Sequence, residues 1–84
     1  MSGVLPAPCV TLVLHAHLCR YAHGLERIDL PHRSGAPIAE YVRIVGIPPH
    51  EFYAVVRAGV VSSNLDAVLE AGEVLELLPA LSGG

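Results

Sequence analysis

The sequence predicts a single α+β domain in which one helix covers one face of a small mixed β-sheet. Two observations indicate this class. Short stretches alternate apolar and polar residues, as half-buried strands do, and one stretch between them has helical periodicity instead. The length of 84 residues allows one domain, which buries roughly 60–65% of the surface of the unfolded chain. Such a domain has a core but little volume for a large internal active site.

The first half of the chain predicts two strands and the helix. Residues 1–8 are rich in glycine and proline and form an irregular lead-in. Residues 9–17 alternate, so we expect a first strand whose buried face includes Ala16, and residues 25–30 predict a second strand that Pro31 ends. Pro37 suits the first turn of the helix, and Gly46 suits the left-handed position after its end. The helix itself is indicated by apolar residues at i, i+3, i+4 and i+7, which are Ile38, Tyr41, Val42 and Val45.

The second half predicts three more strands. Residues 52–57 form the third strand, Ala58 and Gly59 a turn, and residues 60–61 a short return strand. Ser63 or Asn64 is expected to cap a short turn through residues 65–69. A last strand over residues 74–78 then ends at Pro79, which cannot donate a hydrogen bond to a sheet. Its alternation places Leu75 and Leu77 on one face and Val74, Glu76 and Leu78 on the other.

The predicted order is strand, strand, helix, strand, short strand, strand, which is the order of a β-grasp fold. In that topology the first and last strands lie side by side and parallel at the centre of the sheet. We therefore divide the chain into the lead-in (residues 1–8), a β-grasp domain (residues 9–78) and a flexible C-terminal tail (residues 79–84) that ends in Gly-Gly.

The composition excludes several classes of function. Apolar residues make up 52% of the chain and charged residues only 15%, which argues against disorder. The net charge is −3 and the arginines are scattered, so a nucleic-acid partner is not expected. The apolar runs are too short to span a membrane, and no Lys or Arg precedes Arg20 as in the basic start of a signal peptide, so we expect the cytoplasm.

The C-terminal residues carry the most specific chemical signal. After Pro79 the sequence continues with Ala80, Leu81 and Ser82 and ends in Gly83 and Gly84. Glycines have no side chain and few backbone limits, so this pair fits a slot that is too narrow for larger residues. The Gly83-Gly84 pair would carry the α-carboxylate of Gly84 into such a slot. The alternative is an ordinary frayed terminus.

Three segments near the C-terminus resemble the ubiquitin-like sulfur-carrier family. They are residues 55–59 (Val-Val-Arg-Ala-Gly), residues 69–74 (Leu-Glu-Ala-Gly-Glu-Val) and residues 77–84 (Leu-Leu-Pro-Ala-Leu-Ser-Gly-Gly). This family includes the small subunit of molybdopterin synthase and the sulfur carrier of thiamine biosynthesis. Ala58 and Ala80 depart from its pattern, which more often has Asn and a second Pro there. Pro79, Ser82 and the length favour the molybdopterin branch.

The resemblance implies a carrier that is not itself an enzyme and binds no cofactor. A ubiquitin-activating-type enzyme would use ATP to adenylate the carboxylate of Gly84. A sulfur donor of the desulfurase or rhodanese type would then displace AMP and leave a thiocarboxylate. A sulfur-accepting synthase subunit would receive the tail, with Leu81, Ser82 and Gly83 leading the reactive end into its site. Adenylation is needed because a carboxylate is a poor electrophile and AMP is a good leaving group.

A docking surface for these partners is also expected. If Leu75 and Leu77 face the helix, Val74 and Leu78 lie on the open face of the sheet with Val13 beside them, and an exposed apolar patch of this kind usually marks a partner site. The alternative is that tail residues or loops cover the patch. Arg57 either flanks the patch or is a solvated residue at a strand end.

Three further possibilities remain open from the sequence. His15, His17 and Cys19 alternate, so a continuing strand would place them on one face, but three ligands without a Cys-x-x-Cys pair do not predict a metal site. Gly84 could instead be attached to lysines of other proteins, as in a ubiquitin-like modifier. The chain could also be an interaction module in which the Gly-Gly is incidental.

Overall fold

The sheet is built around two parallel strands, β1 (Cys9–Leu14) and β5 (Val74–Pro79). The structure, a computed structural model, describes residues 8–80. Within these residues β2 (Arg27–Pro31) pairs antiparallel with β1, and β3 (Phe52–Arg57) pairs antiparallel with β5 and with β4 (Val60–Ser62). The strand order β2-β1-β5-β3-β4 confirms the predicted topology, with the first and last strands adjacent at the centre.

Helix α1 (Ile38–Val45) covers one face of this sheet and forms the core with it. In the register of the central pair, Leu12 lies opposite Leu75 and Leu14 opposite Leu77, and all four side chains are fully buried. The predicted division of β5 into a buried face and an open face is therefore confirmed. The helix contributes its predicted stripe to the core, with Ile38, Tyr41 and Val42 buried.

Both ends of α1 are closed by hydrogen bonds. The N–H groups of Ile38 and Ala39 donate to the carbonyl oxygens of Ala67 and Leu65, at 2.9 and 3.0 Å, so the segment before β5 takes up the first donors of the helix. Gly46 ends the helix as predicted, because its φ of 92° lies in the left-handed region that glycine adopts without strain.

The structure corrects the predicted first strand. β1 ends at Leu14 instead of residue 17, because Ala16 has a left-handed φ of 51° and starts a 3-10 helix (Ala16–Ala22). Ala16 is exposed and does not join the buried face. Strand β2 begins at Arg27, two residues later than predicted, and includes Pro31. This proline is tolerated because β2 lies at the edge of the sheet.

Two predictions in the second half also change. The predicted turn after Asn64 is present but shorter: the side chain of Asn64 accepts a hydrogen bond from the N–H of Asp66, the turn covers only residues 65–66, and Val68 forms an isolated bridge with Pro37. Strand β5 extends through Pro79, which pairs with Phe52, so the sheet continues one residue into the predicted tail. A second 3-10 helix (Pro49–Glu51) leads directly into β3. Among residues 8–80, no helix is long and apolar enough to cross a membrane.

Candidate functional site

The candidate site is the open face of the sheet, defined here as the face opposite α1, together with the end of β5. It includes Val13, Val74 and Leu78, the three apolar residues predicted to bind a partner. Val74 is 46% exposed, and Val13 and Leu78 are partly buried. In the register Val13 lies opposite Glu76, which separates Val74 from Leu78 along β5, so the three side chains surround one glutamate.

A polar pair lies in the middle of this apolar surface. His15 Nε2 is hydrogen bonded to Glu76 Oε2, and the two side chains are 43% and 39% exposed. The pair links the end of β1 to the centre of β5, whose backbones already run side by side. It also places one polar contact within an otherwise apolar surface, an arrangement that would fix the orientation of any protein docked there.

Arg57 lies apart from the other three predicted partner residues. In the register it is opposite Leu75, which faces the helix. Its Nε and Nη2 donate to the two carboxylate oxygens of Glu73 at 2.7 Å each, and Nη2 also donates to the carbonyl oxygen of Val68 at 2.8 Å. Arg57 therefore joins β3 to the segment before β5, and the structure does not bring it together with the apolar patch.

The carboxylate of Glu73 is held in its ionised form by this contact. The hydrogen bond from Arg57 lowers the pKa of Glu73 below its ordinary value, and the N–H of Glu70, which donates to Oε2 at 2.7 Å, acts in the same direction. Partial burial opposes the shift. The result is a fixed turn just before β5, where the sequence motif of residues 69–74 predicted a turn into the last strand.

Sequence reasoning missed Tyr53, which lies beside the end of β5. The pairing of β3 with β5 shifts between Phe52 and Ala54, so Tyr53 is the extra residue of a β-bulge. Its side chain is 63% exposed and borders a surface pocket with Leu78, Pro79 and Ala80. Two adjacent aromatic residues in a strand were the available signal, since alternation must direct one of them outward.

The predicted reactive residues Leu81, Ser82, Gly83 and Gly84 lie outside the described residues. The structure does describe the chain immediately before them. Pro79 is paired with Phe52, and the N–H of Ala80 donates to the carbonyl oxygen of Glu51 at 2.9 Å. The last described residue is thus attached to the second 3-10 helix.

The possible metal ligands do not share a face. Because β1 ends at Leu14, His15 pairs with Glu76, His17 lies near Glu51, and the thiol of Cys19 donates to the carbonyl oxygen of Leu14 at 3.5 Å. Within residues 8–80 no group of three His, Cys, Asp or Glu side chains is arranged to hold a metal ion.

Comparison with solved structures identifies the fold. No protein-family model and no curated protein matches the sequence. A protein from Pyrococcus furiosus, provisionally named molybdopterin converting factor subunit 1, superposes with a TM-score of 0.67 over 89% of this chain and all of its own, at 17% identity. The fold is a β-grasp.

A second solved structure has a similar architecture. The HVO 2177 protein of Haloferax volcanii superposes with a TM-score of 0.69 over 92% of this chain and 87% of its own, at 16% identity. This β-grasp domain therefore has the architecture that the sequence resemblance to the sulfur-carrier family implied.

Proposed function

We propose that this β-grasp protein is a sulfur carrier in which the carboxylate of Gly84 is adenylated and converted to a thiocarboxylate. The observation that carries the proposal is the fold shared with a protein provisionally named as a molybdopterin converting factor subunit, in a chain whose central strand β5 is followed after three residues by Gly83 and Gly84. Molybdopterin biosynthesis is the favoured pathway, and thiamine biosynthesis or another pathway that uses a sulfur carrier is the alternative. A cytoplasmic location, where ATP is available, belongs to the same proposal.

The length of the segment after Ala80 limits how a partner can act on it. Four extended residues span at most about 13–14 Å, at about 3.3–3.6 Å per residue. A partner must therefore bring its active site close to the end of β5. The open face is the neighbouring surface that a partner can use for this purpose, because Leu78 and Tyr53 lie beside Ala80.

The open face suits partners that bind by apolar contact with one polar anchor. Val13, Val74, Leu78 and Tyr53 supply the apolar area, and the pair of His15 and Glu76 supplies the polar contact. We propose that the adenylating enzyme and the sulfur-accepting synthase subunit use this surface in turn, since each must reach the same C-terminal residue. No bound cofactor is required on the carrier, because the adenylating enzyme binds the ATP.

The mass of the intact protein tests the proposal. The chain would be incubated with ATP, a purified ubiquitin-activating-type enzyme and a sulfide source, and its mass would be compared with that of a Gly84→Ala variant. We expect the parent chain to gain the mass difference between sulfur and oxygen and the variant to gain far less, because a Cβ crowds the narrow site. As a control, the enzyme must modify its own carrier under the same conditions. If it does and the mass of the parent chain stays unchanged, the sulfur-carrier function is contradicted.

A ubiquitin-like modifier is the second candidate, and the same experiment separates it. The chain contains no lysine, so a modifier of this sequence could not be attached to a lysine side chain of another copy. Attachment to other proteins would produce conjugates of higher mass that depend on ATP and on Gly84. Such conjugates without a thiocarboxylate would replace the first proposal with the second.

A further inference from the structure

We propose that Glu51, held in place by Arg20, is a positioning residue that fixes where the C-terminal segment leaves the domain. The contact between Glu51 and Ala80 is observed in the structure, whereas its consequence for the reaction rests on the proposed function. Neither residue belongs to the open face or to the segments that resemble the sulfur-carrier family.

The backbone of Glu51 holds the last described residue of the chain. Pro79 ends β5 opposite Phe52 and has no N–H group, so the N–H of Ala80 is the first donor that follows the end of the strand. It donates to the carbonyl oxygen of Glu51, the residue directly before Phe52, at 2.9 Å. The position of Glu51 therefore determines the point from which residues 81–84 begin.

The side chain of Glu51 is held in turn by the first 3-10 helix. Its side chain is only 16% exposed, and Oε1 accepts a hydrogen bond from Arg20 Nη2 at 2.8 Å. His17 Nε2 lies 3.4 Å from Oε1 and 3.3 Å from the carbonyl oxygen of Glu51, and His50 Nε2 lies 3.3 Å from Oε2. One arginine and two histidine side chains thus lie around this carboxylate, and the hydrogen bond from Arg20 is charge-assisted, which makes it one of the stronger kind.

The location of this contact separates it from an ordinary surface ion pair. Exposed ion pairs contribute little to stability, and Arg20 is 61% exposed, so the fold does not depend on it. Its effect is instead on Ala80, which Glu51 joins to the rest of the domain. If Ala80 is released, a partner that binds this segment must first order Ala80, which lowers the affinity by about 5- to 30-fold.

Amide hydrogen exchange of the isolated protein tests the anchor. We expect Arg20→Ala to reduce the protection of the Ala80 amide several-fold and to leave the amide of Leu77 unchanged, because Leu77 is held by the sheet. Arg20→Lys keeps the charge and should restore part of the protection. Arg43→Ala, which removes an exposed ion pair with Glu40 on α1, is the matched control. Unchanged protection of Ala80 in Arg20→Ala, or an equal loss in Arg43→Ala, would overturn the anchor.

Steady-state kinetics with the adenylating enzyme tests the positioning role. We expect Arg20→Ala to raise the KM for the carrier by about 5- to 30-fold with little change in kcat, because binding of the segment is affected and the chemical step is not. Arg20→Lys should recover most of the loss, and Arg43→Ala should behave as the parent chain. If Arg20→Ala leaves the KM unchanged although its Ala80 amide has lost protection in hydrogen exchange, the positioning role is refuted. If the parent chain is not adenylated at all, the proposed function fails, whereas hydrogen exchange still decides the anchor.

Discussion

Truncation of the bulge residue, Tyr53→Ala, is expected to weaken binding of the adenylating enzyme. Tyr53 lies beside Leu78, Pro79 and Ala80, where a partner must approach to reach the C-terminal glycines. Because its side chain points away from the core, the substitution removes contact area without opening a cavity. The free energy of unfolding should therefore remain within about 0.5 kcal/mol of the parent value.

The size of the effect follows from the exposed area of the ring. An aromatic side chain buries about 150–250 Å² in a contact, so the 63% that is exposed here corresponds to roughly 130 Å². At about 25 cal/mol per Å², complete burial of this area by a partner would contribute about 3 kcal/mol as an upper limit. Partial burial at an interface makes about 1–2 kcal/mol the expected loss, which is about 5- to 30-fold in Kd.

Isothermal titration calorimetry with the adenylating enzyme, without ATP, measures this Kd. Val74→Ala is expected to act in the same direction with a smaller loss, because Val74 is 46% exposed and smaller. Ile44→Ala is the matched control: Ile44 is 45% exposed but lies on α1, on the other side of the sheet. The open face would be refuted as the docking surface if Tyr53→Ala and Val74→Ala bind like the parent chain, or if Ile44→Ala weakens binding as much.

Three further predictions concern stability and are measured by urea unfolding. Tyr41→Phe should lower the free energy of unfolding by about 1–2 kcal/mol, because the buried hydroxyl accepts a hydrogen bond from the N–H of Arg33 at 2.7 Å and donates one to the carbonyl oxygen of Arg33 at 3.2 Å. A variant as stable as the parent would show that water replaces these hydrogen bonds. Leu77→Ala should lower the free energy of unfolding by about 2–5 kcal/mol, since the Leu77 side chain is fully buried and its strand lies between β1 and β3. A loss below about 1 kcal/mol would argue against a position of Leu77 at the centre of the core. Glu73 has a lowered pKa in the folded protein. Its contribution to the free energy of unfolding is therefore complete above the ordinary glutamate pKa of about 4.5 and is lost as the pH falls through the lowered value. Glu73→Gln should therefore destabilise the protein at neutral pH and flatten the decline in stability in acid, and a parallel decline in both proteins would contradict the role of Arg57.

The sequence predicted the features that depend on local periodicity and on turn residues. Alternation in residues 74–78 identified the buried face of β5, and the spacing from Ile38 to Val45 identified α1, because each pattern reflects which side chains contact the core. Gly46 marked the end of the helix because its backbone conformation is costly for other residues.

The features that were missed are not marked by residue type or local periodicity. The left-handed turn at Ala16 ended β1 early, and no residue type at that position signals it. The adjacent aromatic residues Phe52 and Tyr53 indicated that one of them faces outward, but the bulge at Tyr53 is visible only when β3 and β5 are paired. Arg57 was interpreted as part of the docking surface or as a solvated residue, because its partner Glu73 lies 16 residues away in the chain.

The pairing of β1 with β5 means that the proposed docking surface is built from both ends of the domain. Val13 comes from the first strand and Val74 and Leu78 from the last, and neither strand presents that surface alone. A nascent chain that still lacks β5 cannot close the centre of the sheet, so it cannot be recognised through this face. An adenylating enzyme that binds here would consequently act on Gly84 only after β1 and β5 have paired, so a complete chain that has not yet folded would remain unmodified.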